Sequence, residues 1–183
     1  MLRDPLSDQM LMEAVRAGDL TAFRALYERH HRAVFNFLFR SLHDRRTSED
    51  LLQEAFLRVF LRREEYRPTA AFRTWLFTIA RNLIIDEVRK RRGGSESQQA
   101  HNLDTLVDPN ASPLAHAEAR EVGERIQDAV RRLPPSQREV LLLARFAGLS
   151  YDEVAQVTGG STGAVRTTLH RALHRLRDLL GPL

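Results

Sequence analysis

The chain has 183 residues, 43% hydrophobic and 28% charged, the composition of a folded globular protein rather than a disordered or fibrous one. It has no cysteine, which excludes a disulfide scaffold, a thiolate zinc site and a cysteine nucleophile. The formal net charge of +4 and the pI of about 10.2 rest on arginine, because Lys90 is the only lysine; arginine keeps its charge, and its planar fork suits phosphates and guanine edges.

Charge is unevenly placed. Residues 1–92 carry 18 basic and 13 acidic side chains, residues 93–132 carry 4 and 7, and residues 133–183 carry 6 and 4. Two basic blocks therefore flank an acidic middle. The longest apolar stretch, Val140 to Leu149, is too short to span a bilayer and contains Arg145. Asp4, Pro5 and Asp8 stand where a signal peptide needs an apolar run, which predicts a cytoplasmic protein.

Helical spacing runs along the whole chain, and no segment alternates as a strand does. Ser7 or Asp8 caps a first helix that ends near Gly18. Asp19 caps a long second helix in which Phe23, Leu26, Tyr27, Val34, Phe37 and Leu38 recur at steps of three and four. Thr47 or Ser48 caps a third, with Leu51, Leu52, Ala55, Phe56, Val59 and Phe60 on one face. Pro68 and Thr69 interrupt, and a fourth helix runs from about Ala70 to Arg92. The polar stretch after Arg92, with Pro109 and Pro113, reads as a linker over 93–113 between two domains, 1–92 and 114–183.

Leu133-Pro134-Pro135 then breaks the chain. Ser136 with Glu139, and Ser150 with Glu153, have the spacing of capping boxes, and Gly148 and Gly159 stand where helices end. Ser161 caps the last helix. A short helix over Tyr151–Thr158, a tight turn and a longer helix over Thr162–Leu180 make a helix-turn-helix. The predicted fold is all-α: two small helical domains joined by a flexible linker.

On the last helix, Val165, Leu169, Leu173 and Leu176 form the expected buried stripe, and Thr162, Arg166, Thr167, His170 and Arg171 lie away from it. Such a face suits either plain solvent exposure or reading of a DNA groove; the capped turn before it favours the second.

Together these segments resemble the extracytoplasmic-function sigma factors of bacterial RNA polymerase. The run LPPSQREVLLLARFAGLSYDEVA from Leu133 and the run GAVRTTLHRA from Gly163 are similar to region 4 of that family. DLLQEAFLRVF from Asp50 and FRTWLFTIARNLIIDEVR from Phe72 are similar to region 2. Both halves occur in order, and the likeness covers nearly all of the chain except the linker.

The resemblance implies an alternative sigma factor, not an enzyme, needing no metal or cofactor and having no membrane span. It binds core polymerase, directs it to promoters and helps open the DNA. Asp50, Gln53, Glu54 and Leu57 are implied to meet the clamp coiled coil of the largest core subunit, where acidic and amide groups suit an arginine-rich partner. The flap of the second-largest subunit and an anti-sigma factor are further implied partners. The loop from Glu64 to Ala71 is implied to capture a flipped base of the minus-ten element, with Tyr66 and Arg67 supplying stacking and charge. Arg73, Arg81, Asn82, Asp86, Arg89 and Lys90 follow on the fourth helix. Asn82 is suited to a base edge and the cations to phosphates, while Asp86 is also placed to pair with Arg89 or Lys90. Trp75 reads as a packing residue.

Thr162, Arg166, Thr167, Thr168, His170 and Arg171 are implied to read the minus-thirty-five element. Members often have a basic residue at the position of Thr168 and an apolar one at that of Gly160, so this chain should prefer a different sequence. In the linker, Glu96, Asp104 and Asp108 suit a basic channel of the polymerase. His170 and His174 have metal-ligand spacing, but no carboxylate joins them at ligand spacing. No glycine-rich phosphate loop or nucleophile elbow is present. The alternative to a sigma factor is a dimeric helix-turn-helix repressor or activator.

Overall fold

The computed structural model of the protein describes residues 6–67, 71–93 and 113–181, and these are helical almost throughout. Four helices form an amino-terminal unit: α1 (Asp8–Arg16), α2 (Leu20–Leu42), α3 (Arg45–Leu61) and α4 (Phe72–Gly93). A short 3-10 turn, Arg63–Glu65, follows α3. Four more make a carboxy-terminal unit: α5 (Pro113–Arg131), α6 (Pro135–Leu141), α7 (Tyr151–Thr158) and α8 (Thr162–Leu180). The segment read as a linker lies outside the described residues except for its end positions.

Local hydrogen bonds set most helix starts. Ser7 accepts from the Met10 amide, and Asp19 accepts from those of Thr21 and Ala22. The third helix starts earlier than expected. Asp44 is its cap, accepting from the Thr47 amide at 3.3 Å and the Thr47 hydroxyl at 2.7 Å. Ser48 is fully buried and donates its hydroxyl to the Asp44 carbonyl at 2.6 Å, so it is committed to the core. Burial pushes the Asp44 carboxyl up, but the Thr47 hydrogen bonds and the Arg91 charge outweigh this and leave its pKa below the ordinary value.

The first core packs Leu11, Met12 and Val15 of α1 against Leu26 and Leu38 of α2, Ala55 and Val59 of α3, and Leu76 and Phe77 of α4. Phe37 and Phe77 meet edge to face at 5.6 Å, as do Tyr27 and Phe56 at 4.8 Å. Each such aromatic contributes roughly 1.5–3 kcal/mol by burial. Asp8 adds a polar clasp, accepting from the buried His30 at 2.8 Å and from Arg29 at 2.5 Å.

In the second unit, α5 is a helix not anticipated from the sequence, leading through buried Ala129 and Val130 to Leu133. Pro134 occupies the cap of α6, so Ser136 makes no capping box. Residues Leu142–Phe146 continue α6 as a π turn, closed by the Ala147 amide on the Leu142 carbonyl at 2.9 Å. The capping box at Ser150 and Glu153 is present with both bonds. Gly159 ends α7 in the left-handed region, at φ 71°, where a side chain would be strained. Gly160 is exposed, and its amide bonds the Ala155 carbonyl at 2.9 Å, so the turn closes without an apolar residue there.

One expected core residue is corrected. Leu173 is 41% exposed, and fully buried Ala172 takes its place in the stripe Val165, Leu169, Ala172 and Leu176. A 4-3-4 step keeps these four on one side, and residue 173 lies about 100° further round.

The two units are not apart. α7 packs on α4, and the π turn packs on α2. One continuous buried cluster includes residues of both.

Candidate nucleic-acid interface

α3 turns a stripe to solvent: Asp50 and Gln53 are exposed, and Leu57 is 50% exposed. Glu54 is half-buried and pairs with Arg58 at 2.7 Å. One turn further, Leu61 is 64% exposed, a residue not singled out from sequence although it stands four after Leu57. Two exposed leucines beside acidic and amide groups give this face of α3 a mixed apolar and polar character.

The residues expected to meet the minus-ten element fall into three environments. Tyr66 is buried at 3% exposure, packing on Phe72 and Trp75 with ring centroids at 6.2 and 5.4 Å. Burial and the charges of Asp8 and Glu13 raise its pKa. Its ring is thus a part of the core here and not an open stacking surface. Trp75 packs in the same cluster, as expected. Arg67 is exposed and donates to the Glu64 carbonyl at 3.0 Å.

Along α4 the remaining six divide by helical angle. Asn82, Asp86 and Arg89 fall within about 60° of one another and are exposed. Asp86 pairs with Arg89 at 3.6 Å, and Lys90 is exposed beside them. Arg73 and Arg81 lie on another side, turned to the carboxy-terminal unit. Arg73 donates to the Ala147 carbonyl, and Arg81 Nε donates to Glu139 Oε1 at 2.8 Å. Arg91 is structural: it holds Asp44 at 3.1 Å, the Thr47 hydroxyl at 2.9 Å and Glu87 at 2.7 Å, tying α4 to the start of α3.

The helix-turn-helix presents the second cluster. Ser161 accepts from the Ala164 amide and starts α8, while Thr162 donates to Asp152 of α7 at 2.5 Å. That bond holds the start of α8 against α7. Arg166, Thr167, His170 and Arg171 are exposed, and Thr168 is half-buried. The Thr167 hydroxyl is turned back to the Gly163 carbonyl at 3.0 Å. Arg166 and Arg171 have no ion-pair partner among the described residues. His174 contacts Asp178 at 3.1 Å and Arg177 at 2.8 Å, and the described residues hold no cluster of three metal-ligating side chains. No helix among them is long and apolar enough to cross a membrane.

An all-helical fold with a basic helix and a capped helix-turn-helix has the build of a DNA-directed transcription factor. Family comparison makes this specific. The family model Sigma-70 region 2 matches residues 26–93, and Sigma-70, region 4 matches 123–176. The RNA polymerase sigma factor CarQ of Myxococcus xanthus is 36% identical over 94% of this chain and 97% of its own length. The RNA polymerase sigma-H factor of Pseudomonas aeruginosa is 30% identical, with 96% and 95% covered. The structure of CnrH in complex with the cytosolic domain of CnrY is similar at a TM-score of 0.73 and 26% identity, over 94% of this chain and 96% of that one.

The chain belongs to the extracytoplasmic-function sigma factors of RNA polymerase. It is an alternative sigma factor that directs RNA polymerase to promoters, an initiation factor and not an enzyme.

Proposed function

We propose a division of labour among the residues. Asp50, Gln53, Leu57 and Leu61, with Glu54 beside them, dock on the clamp coiled coil of the largest core subunit. Asn82, Arg89 and Lys90, joined by Arg67, Arg73 and Arg81 once these are free, hold minus-ten DNA and help to open it. Arg166, His170 and Arg171 read the minus-thirty-five element from the major groove, with Thr162, Thr167 and Thr168 at the edge of that contact. The working domains are 1–92 and 114–183, and the second also meets the flap of the second-largest subunit.

What carries this reading is the pair of arginines on α8. Both are exposed and lack an ion-pair partner among the described residues, on a helix whose start is fastened by Ser161 and Thr162. Arginine left without a carboxylate on a groove-sized helix suits guanine edges and phosphates. An anti-sigma factor is a further partner, in keeping with structural neighbours that are sigma factors in complex with anti-sigma factors. The place of action is the cytoplasm, with the polymerase.

The test is reconstitution with core polymerase and mapping of transcription starts. Wild-type protein should give promoter-specific initiation. Asp50→Arg with Glu54→Arg should abolish co-purification with core while leaving helicity unchanged. Undiminished co-purification refutes the docking assignment.

A further inference from the structure

α1 is held to its bundle by more than an apolar face. Leu11, Met12 and Val15 bury its inner side, and each end of this nine-residue helix also carries a polar tie. At the start, Asp8 accepts from His30 Nε2 at 2.8 Å through one oxygen and from Arg29 at 2.5 Å through the other. At the end, Arg16 pairs with Glu64 of the 3-10 turn at 3.5 Å. The two ties are eight residues apart, or about 12 Å along the helix.

His30 is buried among aromatic rings. Its imidazole lies against Phe72 at 5.4 Å. Phe72 meets Tyr66 edge to face at 6.2 Å and Trp75 at 6.3 Å, and Tyr66 lies 5.4 Å from Trp75. A row of contacts thus runs from the Asp8 carboxylate to the residue just before Arg67. α1 bears on Tyr66 directly as well: after burial, the charges of Asp8 and Glu13 raise its pKa. Arg67 donates to the Glu64 carbonyl at 3.0 Å, and Glu64 is the residue that Arg16 holds.

Apolar packing alone lets a short helix turn or slide by a fraction of a residue, whereas a hydrogen bond to a buried imidazole demands one geometry. Buried polar pairs add little to stability, so this one is better suited to fixing a register than to holding α1 down.

We propose that Asp8 is a positioning residue for promoter opening: through His30 and Phe72 it fixes the Tyr66–Arg67 segment against α4, so that Arg67 and α4 meet minus-ten DNA in one preset arrangement. This role rests on the assignment of Arg67 and α4 to minus-ten DNA. Extruding a base from the stack is unfavourable, and contacts on a yielding support recover less of that cost.

Trp75 is the only tryptophan, so its emission reports on the aromatic row without a label. Asp8→Ala in the full-length chain should move that emission to longer wavelength and raise its quenching by acrylamide. At a temperature where its helicity is intact, the variant should bind core polymerase as tightly as wild type. Its holoenzyme should open a duplex promoter about ten times more slowly, the ratio that about 1.4 kcal/mol sets. On a template left unpaired across the minus-ten element, its initiation should stay near wild type. Asp8→Asn keeps the shape and one acceptor oxygen, so it should fall between wild type and Asp8→Ala in both emission and opening, and it decides the matter if Asp8→Ala does not fold.

Unchanged Trp75 emission in both variants overturns the positioning. Duplex opening at the wild-type rate overturns its use in opening. Equal losses in core binding, duplex opening and initiation on the unpaired template also overturn it, because a merely destabilised factor loses all three together. Wild type is scored in parallel: if it gives no promoter-specific initiation, the functional assignment falls and this role with it, whereas a working wild type matched by its variants sinks the role of Asp8 alone.

Discussion

The leucine pair on α3 separates binding from folding. Leu57 is 50% exposed and Leu61 is 64% exposed, whereas Leu52 on the inner face is 7% exposed. Fully burying a leucine is worth roughly 1.5–3 kcal/mol. Covering the open half of each by a partner, and keeping only what alanine retains, leaves about 2 kcal/mol for the pair, or about 30-fold in Kd. Alanine is the better helix former by a few tenths of a kcal/mol, so the double variant Leu57→Ala, Leu61→Ala should melt like wild type. Leu52→Ala is the control: a cavity in the core costs about 2–5 kcal/mol and should lower the melting temperature sharply. The assay is titration of labelled factor with core polymerase, beside thermal unfolding by circular dichroism. A double variant that binds core as tightly as wild type refutes the placement of this stripe at the polymerase.

Two more measurements follow. Arg166 and Arg171 are five residues apart, about 140° around α8, and cannot reach the same base. With Arg166 nearer the helix start, Arg166→Ala should change which minus-thirty-five sequences are used in a randomised library, at a cost of roughly 1–3 kcal/mol at one position. Arg171→Ala should weaken all sequences and reduce the salt slope by about one; wild-type output and preference in both would remove α8 as the reader. His43, at the left-handed end of α2, is held to a pKa of about 4 by burial first, then by the charges of Arg131 and Arg138, with Arg40 adding and Asp128 opposing. The unfolded chain binds this proton near 6.5, so its contribution to stability is full above that pH and is lost as pH falls towards 4. His43→Asn, which tolerates the same backbone, should flatten the dependence of the melting temperature on pH between about 6.5 and 4.5; identical slopes would refute the assignment.

What the sequence disclosed was mostly local. Ser7, Asp19, Ser161 and the Ser150–Glu153 pair act within four residues of themselves, and their hydrogen bonds form as the spacing predicts. At the third helix, Asp44, Thr47 and Ser48 are all capable caps. The choice among them depends on Ser48 being drawn into the core, which no local pattern records. Leu173 and Ala172 pose the same difficulty: hydrophobicity favours leucine, but the 4-3-4 step places the small residue inward. The family resemblance implies that Tyr66 is a loop aromatic open to a base. Its burial comes from Phe72 and Trp75 and from α1, whose Asp8 and Glu13 charges bear on it. The partners of Arg73 and Arg81 stand 74 and 58 residues away, beyond the reach of periodicity.

Those contacts also show what holds the two units together. The Arg81–Glu139 pair keeps about a quarter of each side chain in water, and pairs of that kind contribute up to about 1 kcal/mol. Arg40 over Phe146 adds about 0.5–2 kcal/mol. Together they contribute no more than about 3 kcal/mol, so the units are joined less by these polar contacts than by the apolar packing of one continuous buried cluster, in which α7 lies on α4 and the π turn on α2.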